Sequence, residues 1–289
     1  NGGWALFIYT PRGHNHGLAL YEIALKAKWF AEVLTINETS FPLDAVQAER
    51  DAGMPEDMIQ QEFYCSFEAA LVGAYFGEQM ARALREKRIT NVAHDPAAQV
   101  DTWWDLGIAD ATAIWFVQPI GQEIHLIAYE EHTSKALEWY VNLLQRLGFE
   151  RGYKYRYHVF PHDVNARELG LGMSRADLLR KLGIEAMVST NLPVGHGIDA
   201  ARLLMARCWW DAEKCERGIQ ALRSYRKEED EDRSDGRPGT FFKPHPLHDW
   251  SSHGADAFRY GAAMELPRTG RGKRESIKYP TGPKRSPWV

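Results

Sequence analysis

The sequence predicts an α/β fold, because strand-like and helix-like segments alternate along most of the chain. The chain has 289 residues, of which 44% are hydrophobic and 26% charged. This composition is typical of a globular protein with a sizeable core, and it excludes disorder, collagen and coiled coil as overall descriptions. No stretch approaches the roughly 20 apolar residues that span a bilayer, and no apolar leader begins the chain. We therefore expect a cytoplasmic protein with no membrane partner.

In the first part of the chain, short apolar runs alternate with helical spacing of apolar residues. The runs at 4–9, 29–36 and 62–67 have the composition of strands. The intervening segments have a helical pattern, and Asp44 is a candidate N-cap of the second. The predicted helices are 18–29, 42–61 and 67–86. A domain boundary follows near residue 95.

Beyond residue 95 the pattern gives three strands, a helix, a strand, a helix, a strand and further helices. Pro, Gly and capping residues such as Ser174 separate these elements. The predicted strands are 100–106, 111–118, 123–130, 153–160 and 186–189. The predicted helices are 133–147, 174–182, 198–226 and 252–264.

Charge is distributed unevenly along the chain. The net charge is −4, yet residues 267–289 carry seven Lys or Arg residues and one Glu among several Gly and Pro residues. This composition predicts a flexible basic arm without a packed core. Such an arm suits a polyanion such as DNA, and a tail that only improves solubility is the alternative interpretation.

Carboxylates at the predicted strand ends are the main chemical signal. Asp105 lies at the end of one strand and Asp163 directly follows another, while His253 and Asp256 are three residues apart on the last helix. Clustered carboxylates repel one another unless cations lie between them, and oxygen ligands favour Mg²⁺ or Mn²⁺. A pair of such ions can promote phosphodiester hydrolysis. Capping or turn formation is the alternative role of these aspartates.

Three of these segments, 105–115, 161–163 and 248–260, resemble in order and spacing the nuclease domain of the large terminase subunit of tailed bacteriophages. The segment 8–16 resembles the late ATPase segment of the same proteins. The resemblance implies four parts: the end of an ATPase domain at 1–66, a linker helix at 67–95, a nuclease domain at 96–266 and a basic tail at 267–289. No G-x-x-x-x-G-K-[ST] motif occurs in the sequence, so we expect no ATP hydrolysis from this chain.

The resemblance implies a ribonuclease H-like fold, a mixed sheet flanked by helices, and metal-dependent endonucleolytic cleavage of double-stranded DNA during packaging of a phage or prophage genome. It makes Asp105, Asp163 and Asp256 ligands of two Mg²⁺ or Mn²⁺ ions, with His253 as an additional ligand or a proton-transfer group. Auxiliary roles fall to residues beside these motifs, namely Asp110, Asp249 and His162. The family partners would be a portal protein and a small terminase subunit, in a motor that is a homo-oligomer.

Basic residues near these motifs are candidates for contacts with DNA phosphates. They are Arg167, Lys243, Arg259, Arg271, Lys273 and Arg274. Two other interpretations remain open: a resolvase-like or transposase-like enzyme of the same fold, and a non-catalytic module that binds DNA or takes part in assembly. A surface that only binds DNA would carry Lys and Arg residues and not a cluster of aspartates. The aspartates therefore favour an enzyme.

Overall fold

The computed structural model describes residues 3–11, 13, 16–54, 56–67, 71–107, 110–166, 172–233 and 241–270, without the side chains of 231 and 266–270. Its strands are β1 (Ile89–Thr90), β2 (Val100–Asp105), β3 (Ala111–Ile120), β4 (Glu123–Thr133), β5 (Tyr155–Phe160), β6 (Ala186–Val188), β7 (Cys208–Asp211), β8 (Lys227–Glu229) and β9 (Phe242–Pro246). Its α-helices are α1 (His16–Lys26), α2 (Leu43–Asp51), α3 (Glu56–Glu62), α4 (Gly77–Arg85), α5 (Leu137–Arg151), α6 (Arg175–Lys181), α7 (Val194–Met205), α8 (Glu216–Ser224) and α9 (Trp250–Gly270).

Seven strands form one mixed sheet in the order β1-β7-β4-β3-β2-β5-β6. Strands β2, β3 and β4 are joined as antiparallel neighbours, β5 pairs parallel to β2, and β6 pairs parallel to β5. Because parallel strands end at the same edge of a sheet, the carboxyl ends of β2, β5 and β6 lie together. This edge, called the carboxyl edge below, carries the residues that follow these three strands.

Each face of the sheet is covered by helices, as the alternating pattern predicts for an α/β fold. One core joins α4, α7, α8 and α9 to one face, and the other joins α5 and α6 to the opposite face. Helix α9 lies close to the sheet at Gly261, where an added Cβ would fall 1.9 Å from the Trp103 ring. A glycine is therefore required there for α9 to cross β2.

The sequence prediction is correct for the central strands and wrong for the first part of the chain. Strands β2 to β6 and helices α5, α6 and α9 correspond to predicted elements. The apolar runs 4–9, 29–36 and 62–67 form no strand. Trp4 and Phe30 are each 88% exposed. An apolar run becomes a strand only where another strand can satisfy its backbone groups, and no described strand lies beside these runs.

Three predicted helices also differ from the structure. The helix predicted over 42–61 is two helices, α2 and α3, because Gly53 adopts a φ of +94° between them. The helix predicted over 67–86 is represented by the shorter α4, with 68–70 outside the described residues. The single helix predicted over 198–226 is wrong, since β7 separates α7 from α8 and pairs parallel to both β4 and β1.

The predicted basic arm begins within regular structure. Helix α9 continues to Gly270, so the first four residues of 267–289 are helical rather than flexible. The remaining residues, 271–289, lie outside the described part of the chain. None of the described helices has both the length and the apolar character of a membrane span.

Candidate functional site

Three of the acidic residues singled out in the sequence lie on elements that meet at the carboxyl edge. Asp105 is the last residue of β2, and Asp163 lies in the 3₁₀ helix His162–Asn165 that follows β5. Helix α9 carries His253 and Asp256 across the same edge, since it packs against β2 and β5. All three carboxylates raise the pKa of the Tyr260 phenol, together with its burial, which is the largest cause. Their charges therefore act on one common region.

Asp105 is the least hydrated carboxylate of this group. Its pKa is raised to about 6, mainly by burial and to a smaller extent by Asp256 and Asp163, while His253 lowers it. The distance from His253 Nδ1 to Asp105 Oδ2 is 3.6 Å. Asp105 in turn raises the pKa of His253, with smaller contributions from Glu131 and Asp110. At neutral pH the carboxylates of the edge therefore repel one another, and His253 offsets part of this repulsion.

Asp256 has a different set of partners. Its Oδ1 atom accepts hydrogen bonds from the Tyr225 hydroxyl at 3.0 Å and from Arg259 Nε and Nη2 at 3.2 and 3.0 Å. The Oδ2 atom accepts no hydrogen bond from the described residues. One oxygen of Asp256 is therefore held in place while the other remains free to bind a cation.

The donor set matches the chemistry of Mg²⁺ or Mn²⁺, because the residues of the edge offer carboxylate oxygens in a partly dehydrated setting. Among the described residues, however, no three His, Cys, Asp or Glu side chains are already gathered into a group that could hold a metal ion. Instead, Asp256 pairs with Arg259 through Oδ1, and Asp105 lies beside His253.

The auxiliary candidates are placed as follows. Asp249 accepts the Ser251 N–H at 2.8 Å just before α9 and pairs with Arg226 at 3.1 Å, so it caps the helix. Asp110 is mainly exposed and lies 3.6 Å from His248 Nε2. His162 is exposed beside Asp163 and lines a cavity next to the edge.

The basic candidates for DNA contact differ in their availability. Lys243 on β9 donates to Glu228 at 2.5 Å, which raises the pKa of Lys243. Arg259 is buried and paired with Asp256 instead of lying on a solvated surface. The others lie outside the described residues: Arg167, Arg271, Lys273 and Arg274.

Four polar residues of this region, Tyr129, Glu131, Arg217 and Tyr225, are not among the site residues that the sequence predicts. The Tyr129 hydroxyl donates to Glu131 at 2.5 Å, and Arg217 pairs with the other oxygen of Glu131 at 3.1 Å. Tyr225, in turn, holds Asp256. Glu131 belongs to the part of β4 beyond the predicted strand end at residue 130. Residues 130–133 are all polar, so no apolar pattern in the sequence extends β4 as far as Glu131.

No protein-family model matches the chain, and no curated relative does. Among solved structures, the chain is similar to the large terminase of a thermophilic bacteriophage, with a TM-score of 0.52 and 14% identity over 89% of this chain. The match covers 62% of that terminase chain, so this chain spans less than two thirds of its length. At this identity the similarity establishes the fold.

Two isolated nuclease domains are also similar. The nuclease domain of the P22 large terminase has a TM-score of 0.45 and 19% identity, with 63% of this chain and 89% of that domain covered. The nuclease domain of the SPP1 bacteriophage large terminase, with bound Mn, has a TM-score of 0.43 and 15% identity, with 62% and 94% covered. The predicted α/β class, a mixed sheet flanked by helices, is confirmed by the seven-stranded sheet, and the resemblance in fold to a large terminase is confirmed as well.

Proposed function

We propose that this chain is a metal-dependent endonuclease that cleaves double-stranded DNA during the packaging of a viral genome, as the nuclease part of a large terminase. The observation that carries the proposal is the placement of Asp105, Asp163 and Asp256 at the carboxyl edge, on β2, after β5 and on the helix that packs against both strands. Coupled carboxylates that are costly to ionise together are typical of sites completed by cations. The fold shared with the large terminase of the thermophilic bacteriophage supports the same assignment.

In this proposal Asp105, Asp163 and Asp256 hold two divalent cations, Mg²⁺ or Mn²⁺. The cations would supply an activated water and stabilise the leaving oxygen of the phosphodiester. Tyr225 and Arg259 position Asp256 by holding Oδ1, which leaves Oδ2 as the ligand atom. His253, whose pKa is raised by Asp105, either serves as a further ligand or holds a proton near the reacting groups.

The wider role is proposed from the fold and the sequence motifs together. The partners would be double-stranded DNA, a portal protein and a small terminase subunit, with several copies of the chain in the full motor. Residues 1–66 would be the end of an ATPase domain and 67–95 a linker. Without a phosphate-binding Gly-rich loop in the sequence, the chain itself is expected to turn over no ATP, and measurable ATP hydrolysis by the purified protein would contradict this part.

Cleavage of supercoiled plasmid tests the proposal. We expect the wild type to nick and linearise the plasmid with Mn²⁺ and to leave it intact with EDTA. Asp105→Asn should neither nick nor linearise it, because the substitution removes the negative charge of a ligand side chain while keeping its shape. Asp44→Asn is the matched control, because Asp44 is exposed on α2 in a separate part of the chain. Intact plasmid at every Mn²⁺ and Mg²⁺ concentration would refute the nuclease and favour the non-catalytic module. Cleavage that survives Asp105→Asn would exclude this site.

A further inference from the structure

A cavity of about 450 Å³ adjoins the acidic residues at the carboxyl edge. Its walls come from the segment after β6, the start of α7 and one side of α9. His162 lines it directly beside Asp163, and Arg259 and Tyr260 line it close to Asp256. No carboxylate is among the described residues that form its wall. The cavity is thus a less acidic compartment next to an acidic site.

Arg259 provides the positive charge of this cavity. The residue is 6% exposed, and its Nε and Nη2 atoms donate to Asp256. Its Nη1 atom makes no hydrogen bond with the described residues. Gly197 on α7 makes room for the side chain, since a Cβ at Gly197 would lie 2.6 Å from Arg259 Cγ and 3.1 Å from Nη1. A buried guanidinium with unused N–H groups beside a cavity is suited to an anion.

The rest of the wall supplies neutral donors. Helix α7 begins at Val194 on this wall, and its N-cap residue Pro193 offers no side-chain cap to the first backbone N–H groups, those of Val194 and Gly195. Thr190 and Asn191, both exposed, add a hydroxyl and an amide group on the segment after β6. Three kinds of donor therefore surround the space next to Arg259.

We propose that this cavity binds a phosphate group of the DNA strand, with Arg259 as its charge partner and the start of α7, Thr190 and Asn191 as neutral donors. The inference rests on the proposed function for the identity of the anion as DNA. An acidic site repels the phosphodiester backbone, so a neighbouring anion site on the same edge gives the strand a place to bind. The Arg259 side chain then connects the bound phosphate to Asp256.

The test measures binding of a fluorescent 20-base-pair duplex by anisotropy in EDTA, so that no cleavage takes part. Asn191→Asp adds one negative charge to an exposed wall of the cavity and should weaken binding about fivefold, as expected for one charge several ångström from a phosphate. Asn142→Asp is the matched control, because it makes the same change on exposed α5 over the opposite face of the sheet. It should leave the affinity within about twofold.

A second variant, Arg259→Lys, keeps the positive charge but removes the forked donors, and it should also weaken duplex binding. Inorganic phosphate as a competitor should displace the duplex from the wild type more readily than from Asn191→Asp. Duplex affinity unchanged in both variants would overturn the proposal. An effect of Asn191→Asp on inorganic phosphate alone would also overturn it, because the anion would then not belong to DNA. The proposed nuclease activity fails separately, through the plasmid assay with Mn²⁺.

Discussion

The described residues of 3–67 and those of 72–270 differ sharply in how they bury apolar side chains. The first region has a small core of Ile36, Val46 and Ile59, and most of the exposed large apolar side chains of the described residues lie before residue 67. The second region fills both faces of the sheet with buried aromatic and aliphatic residues. Apolar residues at helical spacing occur in both regions. Only the sheet, however, offers a surface large enough to bury the apolar faces of these helices. The acidic edge therefore rests on the better packed region.

The largest loss of stability is expected from a substitution in the core of the sheet region. Trp103→Ala removes a side chain that is 1% exposed and packed against Gly261 and Phe258, and it should destabilise the sheet region by about 3–5 kcal/mol. Ile59→Ala, also at a fully buried position, should affect only the first region. Urea unfolding followed by fluorescence and circular dichroism measures both variants.

Independence of the two regions requires a specific outcome in that experiment. The midpoint of the sheet transition should be the same in Ile59→Ala as in the wild type, within about 0.5 kcal/mol, because distant sites without shared contacts behave additively. A sheet transition lowered by more than about 1 kcal/mol in Ile59→Ala would show that the first region stabilises the sheet.

The second prediction concerns cleavage. Asp163→Asn should lower plasmid nicking by about 100-fold or more, because a ligand charge for the cations is lost. Its affinity for DNA in EDTA should remain equal or rise, since a negative charge is removed from the edge. Ile59→Ala should retain nicking within about twofold, because the small core lies away from the carboxyl edge. A weaker affinity of Asp163→Asn would instead indicate that this residue supports the binding surface.

The pH dependence of stability gives the third prediction. The pKa of Asp105 is about 6 in the folded protein against 3.8 ordinarily, so the folded state binds more protons between these values, and unfolding becomes easier as the pH rises. His253 acts in the same direction, since its raised pKa gives a stabilisation that is lost at higher pH. In EDTA, Asp105→Asn should be more stable than the wild type by about 2 kcal/mol at pH 8. Urea titrations at several pH values measure this.

The difference between Asp105→Asn and the wild type should shrink towards pH 4, where the Asp105 carboxyl is protonated, and it should appear in the sheet transition alone. Asp44→Asn, exposed in the first region, should follow the wild type at every pH. A pH-independent gain in Asp105→Asn would show that the carboxylate of Asp105 carries little cost of burial.

Local sequence signals explain which elements could be predicted. Ser174 accepts the Asp177 N–H and forms a capping box, so α6 began where its sequence indicated. Strand β7 was missed because its four residues form a strand only through pairing with β4 and β1, which are distant in sequence. The positions of Asp105 and Asp163 followed from strand ends. The hydrogen bond from Tyr225 to Asp256 depends on how two side chains on different elements are oriented, and the spacing of residues in the sequence does not specify this.

The smallest effect is expected from the exposed apolar residues of the first region. Phe30→Ser and Trp4→Ser replace side chains that are each 88% exposed, so each should change the free energy of unfolding of either region by less than about 0.5 kcal/mol. Thermal and urea unfolding provide the measurement, with Trp103→Ala as the positive control. A larger loss would mean that these side chains are buried in solution by a surface of the protein, and the contrast between a sparsely and a densely packed region would then be false.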